Sequence, residues 1–265
     1  MTTTTAISSD SILRTDNGAI TILTLNRPAQ YNALSLEVLE NMLSHLKEIA
    51  ASETIKVVVI AANGKAFCPG HDLKEMKANR TKEFGDKLFG KCSEMMIAIR
   101  KLPQPVIAMV QGIATAAGCQ LVATCDLAVA VERAKFGVSG INMGLFCSTP
   151  SVALSRNILP KQAMEMLLTG EFITAERAKE LGLINRVVLT EDLEAETMKL
   201  AQVIASKAPA AIRIGKDMFY NQLGMNLEDA YAYASERIVC NMLEDDVLEG
   251  LTAFTEKRKP VWGKK

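Results

Sequence analysis

Two stretches of small residues stand out as places where a backbone could do chemistry. They are Lys65-Ala66-Phe67-Cys68-Pro69-Gly70-His71-Asp72-Leu73 and Gln111-Gly112-Ile113-Ala114-Thr115-Ala116-Ala117-Gly118. Each follows a strand-like run, and in open α/β sheets ligands bind beyond the carboxyl ends of the strands. Two loops at one sheet edge can each present a backbone N–H to a single oxygen. The second loop also runs into a helix whose dipole favours negative charge. That arrangement is an oxyanion hole. Small-residue turns also serve to pack helices on strands, so spacing alone leaves both readings open.

The side chains nearby offer little proton chemistry. His71 has an imidazole suited to acid–base work, and the other histidine, His45, falls on what reads as a solvated helix face. Cys68 and Cys119 flank the two loops without an evident base and read as buried thiols. Asp72 reads as capping a loop and Asp126 as ending a helix. Ser148 and Thr149 before Pro150 read as a helix start. Ser139, in Gly137-Val138-Ser139-Gly140, lacks the spacing of a nucleophile elbow. No phosphate loop or dinucleotide fingerprint is present, and the six cysteines lack the paired spacing of a metal site.

The elements that must position these loops are legible from pattern. Val57-Val58-Val59-Ile60-Ala61-Ala62 is a continuous apolar run, as expected of a strand buried on both faces. Residues 106–110 and 127–131 repeat it, and residues 19–25 form an earlier strand before the turn Asn26-Arg27-Pro28. Ser35 caps a helix whose apolar positions are Leu36, Leu39, Leu43, Leu46 and Ile49. Strands separated by helices imply a largely parallel sheet. From about Pro160 onward helical patterns dominate (161–168, 175–181, 193–206, 210–220, 227–242), interrupted by one strand at 184–188. We read an α/β core over residues 1–200 and a helical region over 201–265, with no Gly- or Pro-rich linker between them.

The chain has 265 residues, 49% hydrophobic and 23% charged, as in ordinary globular proteins. Its 30 basic and 30 acidic residues cancel, and the basic ones look dispersed until the C-terminus, so no field favours nucleic acid. No apolar run is long enough to span a membrane. Residues 1–10 lack the charge and apolar core of a signal peptide. Unpaired cysteine usage points to a reducing compartment, hence a cytoplasmic protein, or a mitochondrial one in a eukaryote.

Several segments, in order, resemble the crotonase (enoyl-CoA hydratase/isomerase) family. They are Leu25-Asn26-Arg27-Pro28 with Asn32-Ala33-Leu34, the 66–73 loop, Gly118-Cys119-Gln120-Leu121 with Cys125-Asp126, and the ending Glu249-Gly250-Leu251-Thr252-Ala253-Phe254-Thr255-Glu256-Lys257-Arg258-Lys259-Pro260. Within it, His71-Asp72-Leu73, Gly118-Cys119-Gln120 and Gly144-Leu145-Phe146-Cys147-Ser148-Thr149-Pro150 are similar to the subgroup called enoyl-CoA hydratase domain-containing protein 3. The resemblance implies an α/β crotonase (ClpP-like) spiral of ββα units with a C-terminal helical trimerisation region, assembled as a homotrimer or a dimer of trimers. It implies an acyl-CoA thioester ligand, with coenzyme A entering as part of the substrate and no other cofactor.

By position, the resemblance gives the two oxyanion N–H groups to His71 and Ala117, each worth about 3–4 kcal/mol when charge develops on the oxygen. It maps coenzyme A contacts onto Tyr31, Ala33, Asp72, Leu73 and Lys74. Phe254 and Lys257 match residues that reach the coenzyme A of a neighbouring subunit. A family lysine appears here as Ala29. Asn142, Cys147 and Ser148 lie where some relatives place reacting groups. The two glutamates with which family hydratases handle water and protons are here Gln120 and Gly140, with the family spacing intact. An amide cannot take up and return a proton near neutral pH, and each lost acid–base group typically costs about 10²–10⁴-fold. The sequence therefore supports an enolate-stabilising enzyme of unidentified acyl-CoA substrate, or a silent acyl-CoA-binding or regulatory protein. RNA binding, known for one relative, has no support in the balanced charge. Glutamate restored at both 120 and 140 is expected to raise hydration where the pocket is otherwise intact.

Overall fold

The computed structural model describes residues 11–263, so the reading of residues 1–10 lies outside them. A hairpin, β1 (Ile12–Asn17) and β2 (Ile20–Leu25), leads through a short 3-10 turn into α1 (Leu36–Ala50). Ser35 caps that helix by accepting from Val38 N. Its buried face is Val38, Leu39, Met42, Leu46 and Ile49, rotated slightly from the expected one. His45 is half-buried rather than solvated, and its Nδ1 is enclosed without a partner.

The chain then winds three times through the same pair of sheets. β3 (Val57–Ala62) continues as β4 (Ala66–Cys68), followed by α2 (Leu73–Ala78) and α3 (Lys82–Lys101). β5 (Val106–Val110) continues as β6 (Ile113–Thr115), followed by α4 (Ala117–Thr124). β7 (Leu127–Val131) continues as β8 (Lys135–Gly137), followed by a 3-10 turn (Ser139–Met143) and α5 (Ser148–Leu154). The longer strand of each unit enters a six-stranded sheet and the three-residue strand a second, four-stranded one. This is the expected spiral of ββα units.

After α6 (Pro160–Thr169), the two-residue β9 (Ile173–Thr174) closes the small sheet antiparallel to β8, and α7 (Ala175–Glu180) leads to β10 (Arg186–Val188) beside β7. The large sheet runs β1-β2-β3-β5-β7-β10, parallel except for the first hairpin. Its central strands are wholly buried, as Val57, Val58, Val59 and Ile60 require. α8 (Leu193–Ala205) packs across β3, β5 and β7. Then come α9 (Pro209–Gln222), α10 (Leu227–Met242) and α11 (Asp245–Thr255).

Asp126 does more than end a helix. Its carboxylate accepts from Val106 N, Lys216 Nζ and Tyr220 OH, each at 2.7 Å. Lys216 also donates to the carbonyls of Ile99 and Gln104. Burial pulls the ammonium's pKa down while Asp126 pushes it back up. This cluster fastens α9 to the core.

Candidate functional site

The two loops meet because the spiral places them on successive turns. Leu34 pairs with His71 as an isolated parallel bridge: Leu34 N donates to the Gly70 carbonyl at 2.8 Å and Asp72 N to the Leu34 carbonyl at 3.3 Å. That pattern turns the N–H of His71 to the opposite side, where it has no acceptor among the described residues. On the second loop, Ala116 adopts φ 50° and ψ −122°, a strained conformation costing about 1–3 kcal/mol outside glycine. Ala116 N donates to the Gly137 carbonyl at 3.0 Å. The turn leaves Ala117 at the start of α4, its N–H equally unclaimed.

Close approach makes this possible. A Cβ on Gly118 would overlap the Cys68 carbonyl oxygen, so glycine alone lets α4 lie against β4. Cys68 and Cys119 are fully enclosed, and burial pushes both thiols up to about 12. They are packing groups, as their apolar surroundings suggested.

His71 and Ala117 share a cavity of about 340 Å³, walled by Met76 and Phe89 on one side and by Gly140, Phe146 and Cys147 on the other. No carboxylate lines it. The His71 ring stands edge-on to Phe89, with centroids 5.2 Å apart. Its Nδ1 lies 3.3 Å from the Leu34 carbonyl, and Nε2 is buried without a partner. Burial lowers the imidazole pKa, partly opposed by that carbonyl, so the ring is held neutral. Burial raises the Cys147 thiol.

The two positions of interest for proton chemistry are separated. Gly140 lines this cavity, whereas Gln120, one turn along α4 from Ala117, is 4% exposed and lines a second one. At Gly140 there is no room for a side chain: a Cβ would stand 2.5 Å from the Leu145 carbonyl oxygen and 2.8 Å from Cys147 Sγ. Asn142 is exposed and lies outside both cavities, while Ser148 and Thr149 line the first one at the start of α5. Ser139 Oγ pairs with Thr115 Oγ1 at 3.0 Å.

The Leu34–His71 bridge also joins the segment that carries Tyr31 and Ala33 to the one that carries Asp72, Leu73 and Lys74. Asn32 anchors this corner by donating to the Asn63 and Ala66 carbonyls. The Asp72 carboxylate is taken up by structure, capping α2 at Lys74 N and Glu75 N and pairing with Arg27 at 3.3 Å. Phe254, 86% exposed, and Lys257 line neither cavity. Met76 and Phe89 are wall residues that sequence reasoning missed, because the helical register between Lys74 and Arg100 was open; a break after Ala78 divides that stretch into α2 and α3.

The enoyl-CoA hydratase/isomerase family model matches residues 15–265. The chain belongs to the enoyl-CoA hydratase/isomerase family. Among curated members, it is 48% identical over 240 residues to mouse mitochondrial enoyl-CoA hydratase domain-containing protein 3, covering 91% of this chain and 80% of the relative. The human protein of that name is 47% identical over 91% of this chain and 79% of its own. A solved enoyl-CoA hydratase of Mycobacterium smegmatis superposes with a TM-score of 0.94 at 52% identity, over 96% of this chain and 99% of that one. The human domain-containing protein 3 structure gives 0.93 at 45%, over 95% and 100%. The two-sheet spiral is thus the enoyl-CoA hydratase/isomerase fold, and the subgroup resemblance holds over nearly the whole chain.

Proposed function

We propose that this protein binds an acyl-CoA thioester with its carbonyl oxygen between the N–H groups of His71 and Ala117, which stabilise an enolate. The observation that carries the reading is the pair of unclaimed N–H groups at one cavity. Tyr31, Ala33, Leu73, Lys74 and the backbone of Asp72 form the coenzyme A rim, with Phe254 and Lys257 supplied by a neighbouring copy of the chain. Ala29 leaves one phosphate without a lysine. Coenzyme A enters as part of the substrate, in fatty-acid or related acyl-CoA metabolism. Among the described residues no helix is long and apolar enough to cross a membrane, and the mitochondrial names of the relatives suggest that compartment in a eukaryote.

Ordinary hydration is not part of this reading. Gly140 supplies no carboxylate, Gln120 supplies an amide that cannot take up and return a proton, and the first cavity has no carboxylate of its own. The same observation favours a second reading, a silent acyl-CoA binder or regulator. Calorimetry with acetoacetyl-CoA is expected to show binding; no heat and no thermal protection would sink the proposal. Crotonyl-CoA hydration should fall at least about 10⁴-fold below that of glutamate-bearing hydratases. A mass-spectrometric screen of acyl-CoA esters separates enzyme from binder by whether any product forms.

A further inference from the structure

A second cavity of about 790 Å³ lies where the ends of α3, α4 and α5 face α9 and α10. Six cations line it (Arg100, Lys101, Arg156, Arg213, Lys216 and Arg237), with Asp217 as the one carboxylate. The sequence had suggested dispersed basic residues; folding gathers these from four helices and the segments flanking them. Three have counterions: Arg213 with Glu244 at 3.5 Å, Lys216 with Asp126 at 2.7 Å and Arg237 with Asp217 at 3.4 Å. Arg100 lies 3.4 Å over the Tyr220 ring, and Arg156, just past the end of α5, donates back to the Val152 carbonyl of that helix. Neither they nor Lys101 form an ion pair among the described residues.

Two buried polar atoms in this wall lack partners: the side-chain oxygen of Gln120 and Nε of Arg237. Native structures rarely leave such atoms unsatisfied. An arginine donor without an acceptor is open to an anion or a water, and an amide can turn either its oxygen or its NH₂ to a ligand.

The two cavities lie end to end along three helices. Phe89, Ala117 and Pro150 line the first; Met96, Gln120 and Val152 line the second. Gln120 is one turn beyond Ala117, about 4.5 Å along the helix. We infer that an acyl chain whose thioester oxygen sits at Ala117 continues along α4 past Gln120 and ends in a carboxylate held by Arg100 and Arg156. The substrate class is then the mono-coenzyme A thioesters of dicarboxylic acids. Guanidinium groups suit the task because they bind carboxylates in a bidentate fork. Glutamine at 120 keeps the passage uncharged, where a glutamate would repel the incoming carboxylate. The inference rests on acyl-CoA binding at the first cavity.

Calorimetry on the full chain with acetoacetyl-CoA, octanoyl-CoA and the mono-coenzyme A thioester of octanedioic acid tests it. The octanedioyl thioester should bind at least about tenfold tighter than octanoyl-CoA, the effect of one charge-assisted hydrogen bond. Arg100→Gln with Arg156→Gln should erase that preference and leave the other two ligands unchanged. Gln120→Glu should weaken the octanedioyl thioester selectively. If losing the Tyr220 contact unfolds the double variant, Arg156→Gln alone carries the test, since that side chain is exposed. Equal affinity for the two eight-carbon thioesters, or a preference that survives the arginine variants, overturns the inference and leaves acyl-CoA binding standing. Failure of all three to bind removes the acyl-CoA reading itself, and this inference with it.

Discussion

At position 140 a Cβ would press on the Leu145 carbonyl oxygen and Cys147 Sγ, and the backbone there cannot yield as a side-chain tip would. A gain in hydration from restored glutamates presupposes an intact pocket, and this crowding removes that condition at position 140. Gly140→Glu should destabilise the protein by about 1–3 kcal/mol, the usual cost of overpacking, with the loss read from the denaturant midpoint. Gly140→Glu with Gln120→Glu should gain no crotonyl-CoA hydration; an ordinary hydratase rate would show that the loop makes room. His71 supplies a second test. Burial lowers its folded pKa, so as pH falls through the ordinary imidazole range, near 6.5, the unfolded chain takes up the proton first and stability is lost. Between pH 7.5 and 5.5 the wild type should lose more stability than His71→Gln, measured by urea unfolding. Parallel curves would mean the ring is solvated.

Among elements, α9 depends on the cluster of Asp126, Lys216 and Tyr220. Asp126→Ala leaves a lysine side chain, only 8% exposed, without its counterion, and removal of one partner from a buried pair costs about 3–5 kcal/mol. Thermal melting should show that loss, while Asp126→Ala combined with Lys216→Met should recover part of it. A double variant no more stable than the single one would deny the coupling. Sequence reading saw Asp126 only as a helix end because its partners lie ninety residues on. It did find β5 and β7 to the residue, since a short continuous apolar run fits the middle of a parallel sheet, buried on both faces. β4, β6 and β8 escaped it: three residues carry no periodicity, and they are strands because the spiral brings each beside the next. The two loops that meet at the first cavity were legible from their small residues. The cationic cavity was not, because its members are spread from residue 100 to 237.

The whole molecule carries an apolar surface on its last helices. Tyr231, Ile238, Met242, Leu243, Leu248 and Leu251 are exposed, and α10 has no buried residue. Patches of this extent mark interaction sites, and the family resemblance names a second and third copy as the cover. Sedimentation should find a trimer or hexamer at micromolar concentration, and Ile238→Asp with Leu243→Asp should shift it toward single chains; a monomeric wild type would refute the assembly. One property of the first cavity reaches beyond any single protein. Its two donors belong to the main chain, and every residue but proline has such a group. An alanine scan would leave both the His71 and the Ala117 N–H in place. On the proposed reading, each side chain around the thioester oxygen can be exchanged while both donors stay where the main chain holds them.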